Sequence, residues 1–301
     1  MIEQVLNRAF KGTRKKYFSR KALPNPNLAY FVWRYLGNAG RTMRARSSQC
    51  THPEAKRVAQ VLAEKGIVTG ASKEFLGAAG QAALGEASKL VVGLSDAAET
   101  RAASSSKKDY MVNLIPWEFQ HEADSAFVKV ALDPQLLESV SSYLGMWPRL
   151  HAIGAWANYP TPDEAKESQL WHRDPEDMQL VKVFVYLTDV DNNSGPFSYI
   201  PKSHPFSSGA AKTPQHKDPK RITDAEMQTA FPRESWLTCT GPAGTMILAD
   251  TVGYHRGGKP TTGKRVLITF TYTSGLAYSA RKLRINGTPQ WIDNDMQRYA
   301  L

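Results

Sequence analysis

The segment WHRDPEDMQLVKVFVYL (residues 171–187) decides how this chain reads. Its histidine and carboxylate, His172 and Asp174, stand two residues apart. On extended backbone that spacing points both to the same side. Two ligands facing one way can hold an octahedral metal by one of its faces, and they need a third from elsewhere in the chain. The apolar run Val181 to Leu187 that follows reads as a strand able to support them.

A lone H-x-D is a weak signal. With 7 histidines and 14 aspartates in 301 positions, chance supplies one about once in three such chains. A second copy, His216-Lys217-Asp218, lies in a polar loop with no strand beside it to fix its geometry. A related His52-Pro53-Glu54 falls at a helix start, where both side chains are expected as capping and dipole partners.

The surroundings of residues 171–187 separate it from these rivals. Leu150 to Tyr159, Val181 to Leu187, Phe197 to Ile200, Ser235 to Cys239, Thr245 to Ala249 and Arg265 to Thr273 read as short strands between turn clusters such as DNNSGP and GGKPTTG. Evenly spaced short strands predict a sandwich or jelly roll. Downstream, LADTVGYHRGG delivers His255 just after an apolar strand, and Arg265 opens the strongly β stretch RVLITFTYT. The turn between them is expected to bring Arg265 back near the metal on the neighbouring strand. A guanidinium buried there needs an anion, and its fork suits a carboxylate. Two histidines, one aspartate and an anion clamp describe a non-haem Fe(II) site that takes a dicarboxylate keto acid. The plain alternative for each piece alone is a turn histidine and an ion-pair arginine.

Before this β-rich part the chain reads as helical. Thr51 and Pro53 open a helix that Gly66 ends, and Asp133-Pro134 opens another that Gly145 ends. Residues 71–103, rich in Ala, Gly and Ser, read as short helices and loops. The gap from Pro205 to Glu234 is polar and long enough to be a functional loop.

From about Leu150 to Tyr272 the chain resembles the phytanoyl-CoA dioxygenase family of Fe(II)/2-oxoglutarate oxygenases. The resemblance rests on WHRD, VFVYLTDVDNNSGPFSYIPKSH, GPAGTMILADTVGYHRGG and KR before a strand. It implies a mainly β fold with flanking helices: a double-stranded β-helix (jelly roll, cupin-like) core at about 146–280, preceded by a helical part at 51–145. It implies His172, Asp174 and His255 as iron ligands and Arg265 as the anchor of the distal carboxylate of 2-oxoglutarate. Phe184 falls where the family often has an aromatic on the co-substrate wall, and Asn158, inward by alternation, is a polar contact candidate. The implied reaction consumes O2 and 2-oxoglutarate, releases succinate and CO2, and hydroxylates a C–H bond. The carboxylate of Asp174 argues against halogenation, since halogenating relatives carry a small residue there. Gly257 stands where some members have a hydroxyl.

Charge is segregated. Residues 1–50 hold 11 Lys and Arg against the single acid Glu3, while the remaining 27 basic and 27 acidic side chains cancel. Residues 1–22 read as an amphipathic helix, followed by the aromatic LAYFVWRYLG. This basic arm, residues 1–50, has the composition of a segment that touches an anionic membrane surface. Packing on the body with solvated charges is the plain alternative, and nucleic-acid contact a third reading. With two distant cysteines, Cys50 and Cys239, and no apolar run of spanning length, a cytoplasmic protein is expected. A small molecule, lipid or glycan is the expected substrate. The competing classes are a nucleic-acid-directed oxygenase and a metal-binding cupin without oxygenase activity. Arg173, Arg256 and His204 are expected near the mouth of the site.

Overall fold

The computed structural model describes residues 26–48, 50–99, 110–115 and 119–301. The helix expected over 1–22 lies outside them. Helices α1 (Pro26–Phe31) and α2 (Ala39–Ser47), joined by a π-helical turn, precede α3 (Pro53–Lys65), β1 (Ile67–Ala71) and α4 (Ala78–Glu99). Then come β2 (Met111–Asn113), β3 (Gln120–Glu122), α5 (Ala126–Ala131), α6 (Pro134–Leu144) and β4 (Arg149–Asn158). The rest comprises β5 (Val181–Tyr186), β6 (Phe197–Tyr199), α7 (Asp224–Gln228), β7 (Leu237–Cys239), β8 (Thr245–Ala249), β9 (His255–Gly257), β10 (Arg265–Thr273), β11 (Arg284–Asn286) and α8 (Asp295–Ala300).

Six strands form one sheet in the order β1-β8-β5-β10-β4-β2, and three form a second in the order β7-β6-β9. All pairs within them are antiparallel. Strand alternation assigns the two faces of the large sheet. Val181, Val183 and Val185 of β5, with Val266, Ile268, Phe270 and Tyr272 of β10, join a core shared with Val58 and Leu62 of α3 and Leu136 and Val140 of α6. The opposite face sends Tyr186, Ile247 and Leu267 into a smaller core with Phe197 and Tyr199 of the second sheet. The fold is thus helices, large sheet, small sheet: a jelly-roll core with flanking helices. The large sheet also takes in β1 and β2, which lie before the expected start of the core near residue 146.

Local chemistry explains the helix ends. Asp133 Oδ1 accepts from Leu136 N at 3.1 Å, Pro134 takes the first turn of α6, and Gly145 leaves it with φ of 63°. At α3 the capping residue is His52 and not Thr51. The first backbone donors are taken by Glu138, which accepts from Thr51 N at 2.9 Å and His52 N at 3.0 Å. Residues 78–99 form one 22-residue helix where short pieces were expected. Its glycines are tolerated because packing, and not propensity, holds it: Ala83, Leu84, Ala87 and Val91 are buried in the main core. At Gly80 a Cβ would run into the Asp133 carboxylate.

The first helices are bolted to the body. Trp33, fully buried, donates its Nε1–H to Asp177 Oδ1 at 3.0 Å. Asp177 Oδ2 accepts from Ser274 N at 2.7 Å, and Asn38 Oδ1 accepts from Gly275 N at 3.1 Å. Asp177 lies three residues after Asp174, so this contact also ties down the loop leaving the H-x-D. Trp33→Ala should cost about 3–5 kcal/mol of stability, read as a lowered urea midpoint; an unchanged midpoint would show that α1 and α2 are dispensable.

Stability should also fall on acidification. Burial pulls His121 and His151 down to about 4 and lowers His172, His204 and His255. Each takes a proton more readily in the unfolded chain, so each contribution is present above the ordinary histidine range and lost as pH falls through the folded value. Burial pushes Asp177 up to about 6 and raises Asp133, and these two oppose the trend. Five against two gives the sign. The metal-free protein should show a lower urea midpoint at pH 5 than at pH 7, and a constant or rising midpoint would contradict it.

Candidate active site

The histidines of the site come from two segments that pair with each other. His172 and His255 form an isolated antiparallel bridge, exchanging backbone hydrogen bonds of 2.9 and 3.0 Å. Asp174 extends it by donating its N–H to Thr251 O at 2.8 Å. Side chains of such a pair stand side by side, and the two imidazole centroids are 4.3 Å apart. His172 Nδ1 lies 2.8 Å from Leu170 O, and His255 Nδ1 lies 3.0 Å from Gly253 O. A carbonyl only accepts, so both Nδ1 atoms carry the proton and both Nε2 atoms keep their lone pair. Those Nε2 atoms face the Asp174 carboxylate, at 4.0 Å for His172 and 3.5 Å for His255.

One ligand atom from each residue lies within 4.8 Å of the others, the only such group of three or more among the described residues. The donor set fits a divalent ion. Burial, with the nearby charge of His255, pulls His172 down to about 3, and burial lowers His255. Both are neutral ligands at ordinary pH. Burial alone would raise Asp174, but Lys182 and then the two histidines hold it well below the usual carboxylate range. Lys182 Nζ sits 2.6 Å from Asp174 Oδ2 and 3.5 Å from Glu176 Oε1, and these carboxylates hold its ammonium charged.

The triad opens on a cavity of about 640 Å³, within the range that encloses small ligands. Arg265 lines it and is 4% exposed. Its Nη1 donates to Gly195 O, while its Nε is buried without a hydrogen-bond partner. Burial lowers its pKa, and the nearest groups that favour its charge are the phenols Tyr186 and Tyr110. A buried guanidinium bonded to a carbonyl, with neutral phenols in its neighbourhood, is short of an anion.

Arg265 does not lie on the strand next to His255. β9 pairs with β6 in the small sheet, whereas β10 pairs with β4 and β5 in the large one. The turn carries the chain across the barrel, and Arg265 faces Gly257 over the cavity. A Cβ on Gly257 would stand 2.8 Å from Arg265 Nη2. A side chain there would press on the guanidinium, which gives the missing hydroxyl at 257 a steric reason. Ser168, on the cavity wall and bonded through Oγ to Tyr110 OH at 2.9 Å, brings hydroxyls to this end. Nothing in the sequence marked it.

Phe184 and Asn158 both line the cavity. Phe184 packs on Phe197 with ring centroids 4.6 Å apart, and Asn158 is paired in register with Arg265. Of the three mouth candidates only Arg173 reaches the wall. Arg256 pairs with Asp224 and covers the Trp171 ring, and His204 is buried with Nε2 3.1 Å from Ala63 O. His216 and Asp218 are exposed, apart from any ligand group, and His52 sits 3.0 Å from Glu138 at the start of α3. Lys182, His151 and Lys282, also on the wall, were not anticipated.

Among solved structures the chain is similar to EctD from S. alaskensis in its apoform, with 19% identity, TM-score 0.47, and 80% of this chain covering 89% of that one. It is similar to the epimerase SnoN in complex with Fe3+, alpha ketoglutarate and nogalamycin RO (15%, 0.46, 73% and 83%). A third is HygX from Streptomyces hygroscopicus with nickel, 2-oxoglutarate and hygromycin B bound (16%, 0.45, 72% and 86%). No curated protein sequence matches the chain. No helix among the described residues is long and apolar enough to cross a membrane. The family model of phytanoyl-CoA dioxygenase (PhyH) matches residues 87–266, more than half of the chain, from within α4 to just past Arg265. The chain belongs to the phytanoyl-CoA dioxygenase (PhyH) family, and it is a non-haem Fe(II)- and 2-oxoglutarate-dependent dioxygenase.

Proposed function

We propose that His172, Asp174 and His255 hold the Fe(II), that Arg265 takes the distal carboxylate of 2-oxoglutarate, and that the enzyme hydroxylates an unactivated C–H bond of a small molecule. The observation that carries this is the convergence of two unprotonated Nε2 atoms on one carboxylate, with an anion-seeking guanidinium across the same cavity. When bound, the ion with 2-oxoglutarate and O2 supplies the oxidation of the C–H bond, with release of succinate and CO2.

The protein's own work is orientation and exclusion of water. The carbonyls of Leu170 and Gly253 hold each imidazole in the tautomer that offers Nε2. Lys182 braces the Asp174 carboxylate from one side, so that Asp174 would be held in place beside the two Nε2 atoms when it ligates the ion. Arg265 fixes the far end of the keto acid, Asn158 lies beside it, and Phe184 with Phe197 walls its carbon chain from solvent.

Calorimetry with Mn(II) and 2-oxoglutarate, together with succinate release under Fe(II), tests the assignment. Asp174→Ala should lose metal binding and succinate formation. Arg265→Ala should keep the metal and bind 2-oxoglutarate about 10- to 100-fold more weakly. Full coupled turnover by Asp174→Ala would sink the reading.

A second reading concerns the N-terminal arm, for which the exposed apolar side chains Leu28, Phe31, Leu36 and Met43 favour peripheral contact with an anionic membrane. They lie on α1, on the basic helix α2 and on the turn between them. The protein should sediment with phosphatidylserine vesicles and not with phosphatidylcholine, and the double variant Phe31→Ser, Leu36→Ser should stay in the supernatant. Equal recovery with both vesicles would leave the arm as packing only.

A further inference from the structure

The turn 250–254, between β8 and β9, carries the acceptors that orient two of the three ligand residues. Thr251 O accepts from Asp174 N at 2.8 Å, and Gly253 O lies 3.0 Å from His255 Nδ1. Whatever fixes this turn therefore fixes the Asp174 backbone and the His255 tautomer together.

Asp250 closes the turn. It is fully buried, and its Oδ1 accepts from Val252 N at 3.0 Å, two residues on. By this local bond an aspartate shapes a turn. Its main chain is held as well: Asp250 O accepts from Gly253 N at 3.0 Å and from Tyr199 OH at 2.8 Å. Asp250 N donates to Gly66 O at 2.8 Å. The turn is packed without slack, since a Cβ on Gly253 would run into the Tyr199 hydroxyl.

The other carboxylate oxygen reaches away from the site into the helical layer. Asp250 Oδ2 accepts from Tyr143 OH at 2.7 Å. Burial and the Asp250 charge raise this phenol well above its usual range, so it keeps its proton and donates. Tyr143 lies on α6 and belongs to the main core, and α6 sends no side chain to the cavity wall. Burying a carboxylate at this point costs stability. In return it has two fixed directions, one oxygen on the turn and one on a helix that the core holds rigid.

We propose that Asp250 is a positioning residue for the metal centre, with Tyr143 as its anchor on α6. The carboxylate locks the turn so that Thr251 O and Gly253 O hold Asp174 and His255 in ligating geometry before any ion binds. The inference rests on the ligand set proposed above, and it extends the site to a helix outside the cavity.

The test compares two substitutions that each delete one buried phenol hydroxyl. Tyr143→Phe removes the bond to Asp250, and Tyr272→Phe removes the 2.7 Å bond to Ala131 O in the same core. Both should lower the urea midpoint. Calorimetry with Mn(II) on the full chain separates them: Tyr143→Phe should bind the ion about 3- to 10-fold more weakly, and Tyr272→Phe as the wild type does. Long-range proton–nitrogen spectra of the metal-free protein read the imidazole tautomers. His255 should keep its proton on Nδ1 in the wild type and in Tyr272→Phe, and show a mixed pattern in Tyr143→Phe and in the isosteric Asp250→Asn. Equal Mn(II) affinity in the two phenylalanine variants, weakened or unchanged, would overturn the proposal, as would a wild-type imidazole pattern in Asp250→Asn. If neither Tyr143→Phe nor Asp250→Asn folds, the pair is structural and the proposal falls too. Failure of the wild type to bind Mn(II) would instead strike the triad assignment.

Discussion

Everything at the centre of this molecule depends on the short backbone pairing of His172 with His255. Two hydrogen bonds fix the segments face to face, and the imidazoles follow at 4.3 Å. At that distance both rings cannot carry a proton without mutual repulsion in a buried site. The carbonyls of Leu170 and Gly253 take the Nδ1 protons, so the lone pairs that remain have one direction to point. The geometry is prepared by main-chain bonds before any ligand arrives. That is the kind of rigid support a metal site needs, because a side chain held only by rotamer preference would leave the ligands too loose.

The large sheet makes this affordable by dividing its two faces. Val181, Val183 and Val185 lie on the helix side of β5, and Lys182, Phe184 and Tyr186 on the other. On β10 the helix side is Val266, Ile268, Phe270 and Tyr272, while Arg265, Thr269 and Thr271 face the cavity. Burying a guanidinium, an ammonium and two hydroxyls inside a barrel costs stability. The opposite face of the same strands carries the main core, so the polar face is free to be chosen for chemistry.

Much of this could be read from the residues. Alternation located the six main strands to within two residues at each end, and the turn after WHRD, the histidine after a strand and the arginine ten residues on carried the site. What escaped has physical causes. β9 is three residues long and reads as a glycine-rich turn, so the crossing from the small sheet to the large one was invisible and Arg265 was expected on the wrong strand. The helix Ala78–Glu99 was obscured because small residues that pack closely look like loop formers. The bulge at His151 changes which side of the sheet a residue faces without leaving a local sign. Lys182 sat inside an apolar run, where a charge reads as an interruption.

In the N-terminal arm part of the charge is structural. Its excess of +10 suggested a surface that attracts anions, yet part of that charge is spent on the body. Arg34 donates to Gly145 O at 3.2 Å at the C-terminal end of α6, and Arg41 donates to Pro148 O at 2.9 Å just before β4. Arg41 and Arg44 also lie over the Tyr299 ring. Cations at a helix C-terminus and over an aromatic face are structural. They seat Trp33 against Asp177, and Asp177 grips Ser274 N at the end of β10 and Met178 N in the loop after the H-x-D. The segment that composition set apart is therefore joined by one hydrogen bond to the loop that carries Asp174. The turn that carries Trp33 thereby braces the loop from one side, while Thr251 O and Lys182 hold Asp174 itself from the other.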